Sequence, residues 1–314
     1  MSKKPASVYL ILNPNSGQQH AIFQWINRLF GWSKVNKRLT ASQIINEIKG
    51  IFESQGIKFH HSLTEYPGHA TQLAKLAIET QVDTIIAMGG DGTINEVING
   101  MVGSDRRLGV IPYGTANVFG LSFDLPTKFR AACEKIINGE TKIIDLGSIN
   151  GHYFACMAGV GFDAYIIKKA DKRLKKIIGA LSYIILAMVE YFWYRFQPIL
   201  FKVDGNQKGQ KGYFLFICNT KYYGGKFVIS EKTSPTDGKL DICVIKQRHL
   251  LATLRCSIQL ALGELKESKD VAIIQCEKVH IRAFGRHRIH CDAEYVGHTP
   301  ATVQIHSGAL KIFC

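Results

Sequence analysis

Two regimes of hydrophobic patterning divide the chain. Up to about residue 145, short apolar runs alternate with stretches whose apolar residues recur every three or four positions. Val8–Asn13, 58–64, 83–88 and Leu108–Ile111 read as strands. Thr84-Ile85-Ile86-Ala87-Met88 has the unbroken apolar character of a strand buried on both faces. Segments 41–55, 68–80, 93–102 and one near 127–138 read as helices. In 68–80, Ala70, Leu73, Ala74, Ala77 and Ile78 share a face. In the next helix Ile94, Val97, Ile98 and Met101 form an apolar stripe, and Thr93 and Glu96 have capping-box spacing. This strand–helix alternation predicts an α/β domain with a parallel sheet, whose sites lie at the carboxyl ends of its strands.

After Asp145 the pattern changes. Short β-like runs at 152–158, 199–204, 213–219, 240–246, 271–283, 287–292 and 301–313 are bounded by Gly, Asn, Asp and Pro. They predict antiparallel sheets forming a C-terminal β-sandwich, interrupted by helices over 163–194 and 249–263. The expected division is 1–145 for the α/β domain and 146–300 for the sandwich. A return of the last strand, about 301–314, to the first domain stays open. Residues 18–40 form a polar and aromatic insertion that the pattern does not place.

Composition narrows the choice of partners. The chain has 314 residues and a net charge of +14, which implies an acidic partner: nucleic acid, an anionic membrane or a phosphorylated ligand. Lys168, Lys169, Lys172, Arg173, Lys175 and Lys176 form one basic cluster, and Arg282, Arg286 and Arg288 another. No RNA-binding motif or zinc finger accompanies them, so nucleic acid is not an expected partner. The eight cysteines include no Cys-x-x-Cys and several lie inside apolar runs, so they read as buried reduced thiols of a cytosolic protein. No signal-peptide core follows Met1. Between Ile177 and Tyr194 only Glu190 is charged. Glu190, Gly179 and Ser182 weaken a membrane span and favour a buried or interfacial helix. A basic cluster leading into such a helix reads as a peripheral contact with an anionic membrane.

Four loops fall at the expected carboxyl edge of the first sheet: Asn13–Gly17, Thr64–His69, Gly89–Thr93 and Pro112–Asn117, all rich in Gly, Thr, Ser and Asn. The third is the most informative. Gly89-Gly90-Asp91-Gly92-Thr93 turns a buried strand into a helix, where backbone can approach a ligand closely and N–H groups with the helix dipole favour phosphate. Asp91 in that turn is useful where a metal ion or a substrate hydroxyl comes near. There is no Gly-x-x-x-x-Gly-Lys-Ser/Thr, which excludes a P-loop enzyme. Gly159-Val-Gly161-Phe-Asp-Ala164 fits a dinucleotide fingerprint only superficially, because it lies in the β-rich half and no acidic residue about 20 positions on ends a second strand.

Asn13-Pro14-Asn15-Ser16-Gly17, Gly68-His69-Ala70, Gly89–Glu96, Gly114-Thr115-Ala116-Asn117, Gly159–Asp163, Asp237-Gly238-Lys239-Leu240-Asp241 and Asp292-Ala293-Glu294 occur in that order. In this the chain resembles the diacylglycerol kinase catalytic-domain family, which includes bacterial lipid kinases and sphingosine and ceramide kinases. The resemblance runs from residue 8 to about 312. It implies an ATP- and Mg²⁺-dependent lipid kinase with an N-terminal α/β nucleotide domain, a C-terminal β-sandwich, and ATP in the cleft between them. By motif, Asn13, Ser16, Gly17, Thr64, Gly89, Gly90, Asp91, Gly92, Thr93, Ile94, Asn95 and Thr115 would contact ATP. A Mg²⁺ site would use the Asp237 side chain with carbonyls of Ser234 and Lys239. Asp292-Ala293-Glu294 stands where the family has Asp-Gly-Glu, so the catalytic candidates are Glu294 as base, Asp292 beside it, and Asp91 as a rival base. Ala293 replaces a glycine, which strains any turn that needs positive φ there.

The chemistry is coherent, since phosphoryl transfer depends on positioning and charge neutralisation together with one carboxylate to accept a proton. The expectation is a kinase at the cytoplasmic face of the membrane that phosphorylates a lipid hydroxyl, with diacylglycerol as acceptor. Its expected partners are a lipid substrate, an anionic membrane surface and, held open, a second copy in a homodimer. The rivals are an NAD kinase-like enzyme, which shares the glycine turn, and a catalytically inactive nucleotide- or lipid-binding protein. Structural alternatives also stand: Asp237 as an ordinary turn residue, Asp292 and Glu294 as one solvated strand edge, Thr115 as a helix cap, and His69 as a helix-start residue.

Overall fold

The computed structural model describes all residues except 1–3, 18–38, 171–180, 207, 226, 264 and 284. Most of the 18–40 insertion, and Lys172, Arg173, Lys175 and Lys176 of the basic cluster, therefore lie outside the described residues. The chain forms two compact units. One comprises 1–142, 170–185 and 311–314, and the other 143–169 and 186–310.

The first unit is an α/β layer structure. In chain order it holds β1 (Ser7–Leu12), α1 (Ala41–Glu53), β2 (Lys58–Leu63), α2 (His69–Glu79), β3 (Thr84–Gly89), α3 (Asp91–Met101), β4 (Arg107–Pro112), α4 (Val118–Ser122) and α5 (Phe129–Asn138). The strands pair in parallel in the order β2-β1-β3-β4. β3 is buried at every position, as a central strand covered on both faces must be. The core joins Val8, Leu10 and Leu12 of β1 to Ile44, Ile48 and Phe52 of α1 and to Ile136 of α5. At the end of the chain, Lys311 and Ile312 pair in parallel with Arg107 and Leu108, extending this sheet.

The second unit is an antiparallel β-sandwich. It contains β5 (Thr141–Ile149), β6 (His152–Phe154), β7 (Met157–Gly161), α6 (Phe162–Lys169), the end of α7 (Leu181–Tyr191), β8 (Ile199–Val203), β9 (Gln210–Gly212) and β10 (Phe214–Cys218). There follow β11 (Tyr222–Tyr223), β12 (Phe227–Val228), β13 (Leu240–Ile245), α8 (Leu250–Leu262), β14 (Val271–Cys276), β15 (Lys278–Ala283), β16 (Arg288–Cys291), β17 (Glu294–His298) and β18 (Ala301–Phe313). One sheet runs β14-β13-β10-β7-β16-β17, and β18, β15, β8 and β9 with β5 and β6 form the facing layer. Val160, Leu215, Ile217 and Ile242 of the first meet Phe201, Val279, Ile281 and Val303 of the second in one core.

Three expectations need correction. The apolar run 271–283 is not one strand. It breaks at Glu277, and β14 and β15 belong to opposite sheets. Asp204 fixes the break, its Oδ1 accepting from Glu277 N (3.0 Å) and Lys278 N (2.8 Å). The helix expected over 163–194 is interrupted, with described parts at α6 and α7. The run 152–158 likewise divides into β6 and β7 around Ala155 and Cys156. Among the described residues no helix is long and apolar enough to cross a membrane. Seven of the eight cysteines are buried, none of the eight is in a disulfide, and burial pushes the thiols of Cys133, Cys243 and Cys276 up to about 12.

Candidate active site

In the first unit the loops after β1, β2, β3 and β4 share the carboxyl edge of the sheet, because all four strands run parallel and in register. Gly89 ends β3, Gly90 caps α3 with extended backbone (φ −84°, ψ 179°), and α3 begins at Asp91. Ile94 N donates back to Gly90 O (3.1 Å), so the amides of Gly92 and Thr93 belong to a first helical turn without intrahelical acceptors. Small residues are required here sterically. A Cβ on Gly89 would lie 2.6 Å from Thr93 Cβ, and one on Gly114 would lie 2.5 Å from Gly90 Cα.

Side chains knit these loops together. Asn13 Nδ2 donates to Thr93 Oγ1 (3.0 Å), Gly90 N to Ser16 Oγ (3.3 Å) and Tyr113 N to Gly89 O (2.7 Å). Gly17, at φ +69°, has no room for a Cβ beside the Tyr113 ring. Asp91 Oδ1 accepts from Phe119 N (3.0 Å), tying the glycine turn to α4. Of the residues expected at ATP, Asn13, Ser16, Gly17, Gly89, Gly90, Asp91 and Thr93 are thus joined directly or through one partner. Ile94 and Asn95 are buried, Asn95 Oδ1 accepts from Asn99 Nδ2 (3.1 Å), and Ile94 can offer a ligand only backbone. Thr64 is buried, with its N–H on Leu12 O (2.9 Å). Thr115 is exposed and does not cap α4, whose cap is Asn117 at φ 49°.

The capping box expected at Thr93 and Glu96 does not form, because α3 starts two residues earlier. Glu96 instead caps a neighbouring helix. Its Oε1 accepts from Gly68 N (2.8 Å) and its Oε2 from Ala70 N (3.1 Å) at the start of α2. His69 is the first residue of α2; it stacks on Tyr66 and accepts from Glu65 N through Nδ1 (3.1 Å).

In the second unit, β16 and β17 are joined by a two-residue turn, Asp292-Ala293, with φ 44° and 66°. Positive φ at both positions is the type I′ pattern of a tight hairpin, so alanine occupies the strained position that the sequence predicts. Asp292 and Glu294 do not share a strand edge. Asp292 is buried, and its carboxylate accepts from Ala155 N (2.8 Å), Cys156 N (3.0 Å) and Met157 N (2.9 Å). That geometry makes it an anchor for the 155–157 bend. Glu294 is exposed at the head of β17.

Sequence reasoning missed the group beneath this turn. His290 Nε2 lies 2.8 Å from Asp163 Oδ2 with both side chains buried, and His290 Nδ1 accepts from Ala293 N (3.3 Å). With Nδ1 accepting, Nε2 carries the proton and donates to Asp163. Gly159 is explained by this pair, since a Cβ there would collide with both Asp163 and His290. The only sequence signal was the conjunction of Gly159 and Asp163 in the pseudo-fingerprint.

Asp237 is exposed, with Oδ1 accepting from Lys239 N (3.0 Å) and Oδ2 from Gln275 Nε2 (3.2 Å). Behind its turn, Asp145 is buried and accepts from Gly238 N and Gly308 N, each at 2.8 Å. Asp237, Gly238, Glu277, Gln304 and Ser307 line a cavity of about 360 Å³. Burial raises the Asp241 carboxyl, a Thr233 hydrogen bond opposes this, and the Asp237 charge adds to the rise. No cluster of three or more His, Cys, Asp or Glu able to hold a metal exists among the described residues. The exposed Asp237 carboxylate beside this polar cavity is the donor type that a hard cation keeping most of its water, as Mg²⁺ does, takes.

A glycine turn between a buried strand and a helix, in a chain that also carries a β-sandwich, is a geometry suited to holding phosphate. The comparisons agree. Residues 35–149 match the model of the diacylglycerol kinase catalytic domain, and 156–314 that of the YegS C-terminal NAD kinase beta sandwich-like domain. A diacylglycerol kinase of Bacillus subtilis (strain 168) is 31% identical over 252 residues, covering 79% of this chain and 83% of that protein. One of Staphylococcus epidermidis (strain ATCC 12228) is 28% identical over 295 residues, covering 93% and 87%. A crystal structure of a diacylglycerol kinase from Bacillus anthracis str. Sterne superposes with a TM-score of 0.70 at 21% identity, covering 99% and 97%, a likeness of fold. The chain belongs to the diacylglycerol kinase family and is a lipid kinase.

Proposed function

We propose that the chain transfers the terminal phosphoryl group of ATP to the free hydroxyl of diacylglycerol at the inner, anionic face of the cytoplasmic membrane. The family supports diacylglycerol as acceptor, since the named relatives are diacylglycerol kinases. The observation that carries the nucleotide reading is the turn from β3 into α3, where the amides of Gly92 and Thr93 have no intrahelical acceptor and stand beside Asn13, Ser16 and Asp91. In this reading, the acceptor oxygen attacks the terminal phosphorus while the bond to the bridging oxygen breaks, and a carboxylate takes the hydroxyl proton. Glu294 is the proposed base because it is exposed. Asp91 is the rival, one of its oxygens being occupied by Phe119 N. Asp237, with carbonyls of Ser234 and Lys239, would hold Mg²⁺, which supplies charge neutralisation for the phosphates when bound.

The test is transfer of label from ATP into lipid in mixed micelles, with diacylglycerol, ceramide and a sphingoid base offered separately. Label in diacylglycerol alone supports the assignment. Label confined to another lipid, or to none, sinks it. Glu294→Gln should lower kcat at least 100-fold with KM for ATP little changed. Near-normal turnover would move the base role to Asp91.

A further inference from the structure

We propose that an apolar face of the second unit, made by α8 and the end of α7, seats in the headgroup layer of an anionic bilayer. The inference rests on the reading that the acceptor is a membrane lipid, and it names the surface that reaches it. On α8, Leu250, Leu251, Leu254 and Ile258 are 53, 67, 52 and 48% exposed. Their spacing places them on one side of the helix, while Ala252 and Cys256 on the other side are buried in the unit. A surface helix normally keeps its leucines inward, so α8 is apolar on the wrong face for a helix that meets only water.

The patch continues onto α7. Met188 and Val189 are 67 and 54% exposed, and Phe192 and Trp193, just beyond the helix, 74 and 81%. Tyr191 holds the two segments together, with its hydroxyl 2.9 Å from Arg248 O and 3.0 Å from Thr253 Oγ1. Phe192 and Leu250 line a common open groove of about 640 Å³, together with Arg195, Arg248 and His249. The two exposed apolar groups are therefore one surface with a basic margin.

Charge selects the occupant. α8 contains no acidic residue, and Arg195, Lys246 and Arg248 are exposed near it. Two of the described acidic residues of this region are already matched: Glu190 accepts from Tyr165 and pairs with Lys169 at 2.7 Å, and Asp270 pairs with Arg255 at 2.6 Å. Hydrogen bonds from Lys169 and Tyr165 hold the Glu190 carboxyl below its ordinary range. A second copy meeting this face symmetrically would oppose like charges. An anionic bilayer offers phosphates to the arginines and an acyl boundary to the leucines and Trp193, as an interfacial helix requires.

The experiment is co-sedimentation of the full chain with extruded vesicles of phosphatidylcholine, with and without about one third phosphatidylglycerol, following Trp193-dependent fluorescence in parallel. The variants are Leu251→Glu with Leu254→Glu, Trp193→Gln, and Leu76→Glu as an exposed-leucine control in the other unit. Wild type and Leu76→Glu should pellet with anionic vesicles. The leucine double variant should bind about tenfold or more weakly, and Trp193→Gln severalfold more weakly. Phosphorylation of a short-chain, water-dispersed diacylglycerol should be unchanged in the double variant. Wild type without affinity for anionic vesicles, or a double variant that binds like wild type, overturns the inference. So does a wild-type dimer in sedimentation velocity that the double variant dissociates. Vesicle binding that behaves as expected without phosphorylation of any diacylglycerol upholds the surface and removes the acceptor assignment instead.

Discussion

Asp292→Asn separates an anchor from a catalyst. The native carboxylate receives three amides, Ala155 on Oδ2 and Cys156 and Met157 on Oδ1, at 2.8–3.0 Å in a buried position. Asparagine tolerates the left-handed backbone at φ 44° as well as aspartate does, so the turn itself is not perturbed. Its amide oxygen can keep Cys156 and Met157, but its NH₂ then faces Ala155 N–H, donor against donor. A hydrogen bond to a charged acceptor contributes about 1.5–3 kcal/mol, and the two retained bonds lose their charge assistance, so we expect a loss of about 3–5 kcal/mol. In urea that shifts the transition of the second unit down by about 1–2 M. Amide exchange of the 155–157 segment should rise by at least tenfold, the local signature of the lost acceptor. A variant within about 1 kcal/mol of wild type, with unchanged exchange but abolished transfer, would refute the anchor role and give Asp292 a part in the chemistry.

Ala293→Gly should stabilise the second unit by about 0.5–1 kcal/mol, because relief of a left-handed alanine exceeds glycine's added unfolded-state entropy; urea unfolding checks it. Glu96→Ala removes both acceptors at the start of α2, so stability should fall by about 2 kcal/mol and KM for ATP should rise more than kcat drops, measured by unfolding and steady-state kinetics. Burial lowers the His287 pKa, opposed by a hydrogen bond with the Pro198 backbone, and its Nε2 has no partner among the described residues. The unfolded histidine titrates near its ordinary 6.5, so this stability is whole above that pH and falls as pH drops below it. His287→Leu should flatten the decline between about pH 7 and 5; an unchanged slope would assign it elsewhere.

The first unit was legible because its signals are local. Buried strands read as apolar runs, helices as periodic stripes, and the glycine turn announces itself within five residues. What escaped the sequence depends on partners far along the chain. Glu96 has the spacing to cap its own helix, yet it caps α2, 28 residues away at Gly68. The break at Glu277 is imposed by Asp204, and His290 meets Asp163 across 127 positions. No periodicity encodes such pairings. The strain at Ala293 was readable because backbone geometry is a property of the residue type itself.

The same distinction decides which carboxylates are available for chemistry. The family resemblance made Glu294 the base, Asp91 its rival, Asp292 a neighbour and Asp237 the metal ligand. Their surroundings separate them differently. A carboxylate that satisfies several buried amides cannot leave them to accept a substrate proton without orphaning donors, each at about 1–3 kcal/mol. Asp292 and Asp145 are of that kind, as is Glu96 with two amides at 2.8 and 3.1 Å. Glu294 and Asp237 are exposed, and each stands on or beside a turn that a buried aspartate holds in place, Asp292 for the hairpin and Asp145 for the 235–238 turn. A buried anchor beneath an exposed acid is how a flexible loop can present a carboxylate in one position. That is why the anchors, rather than the exposed acids, should dominate the stability of this unit, and why the exposed acids should dominate its turnover.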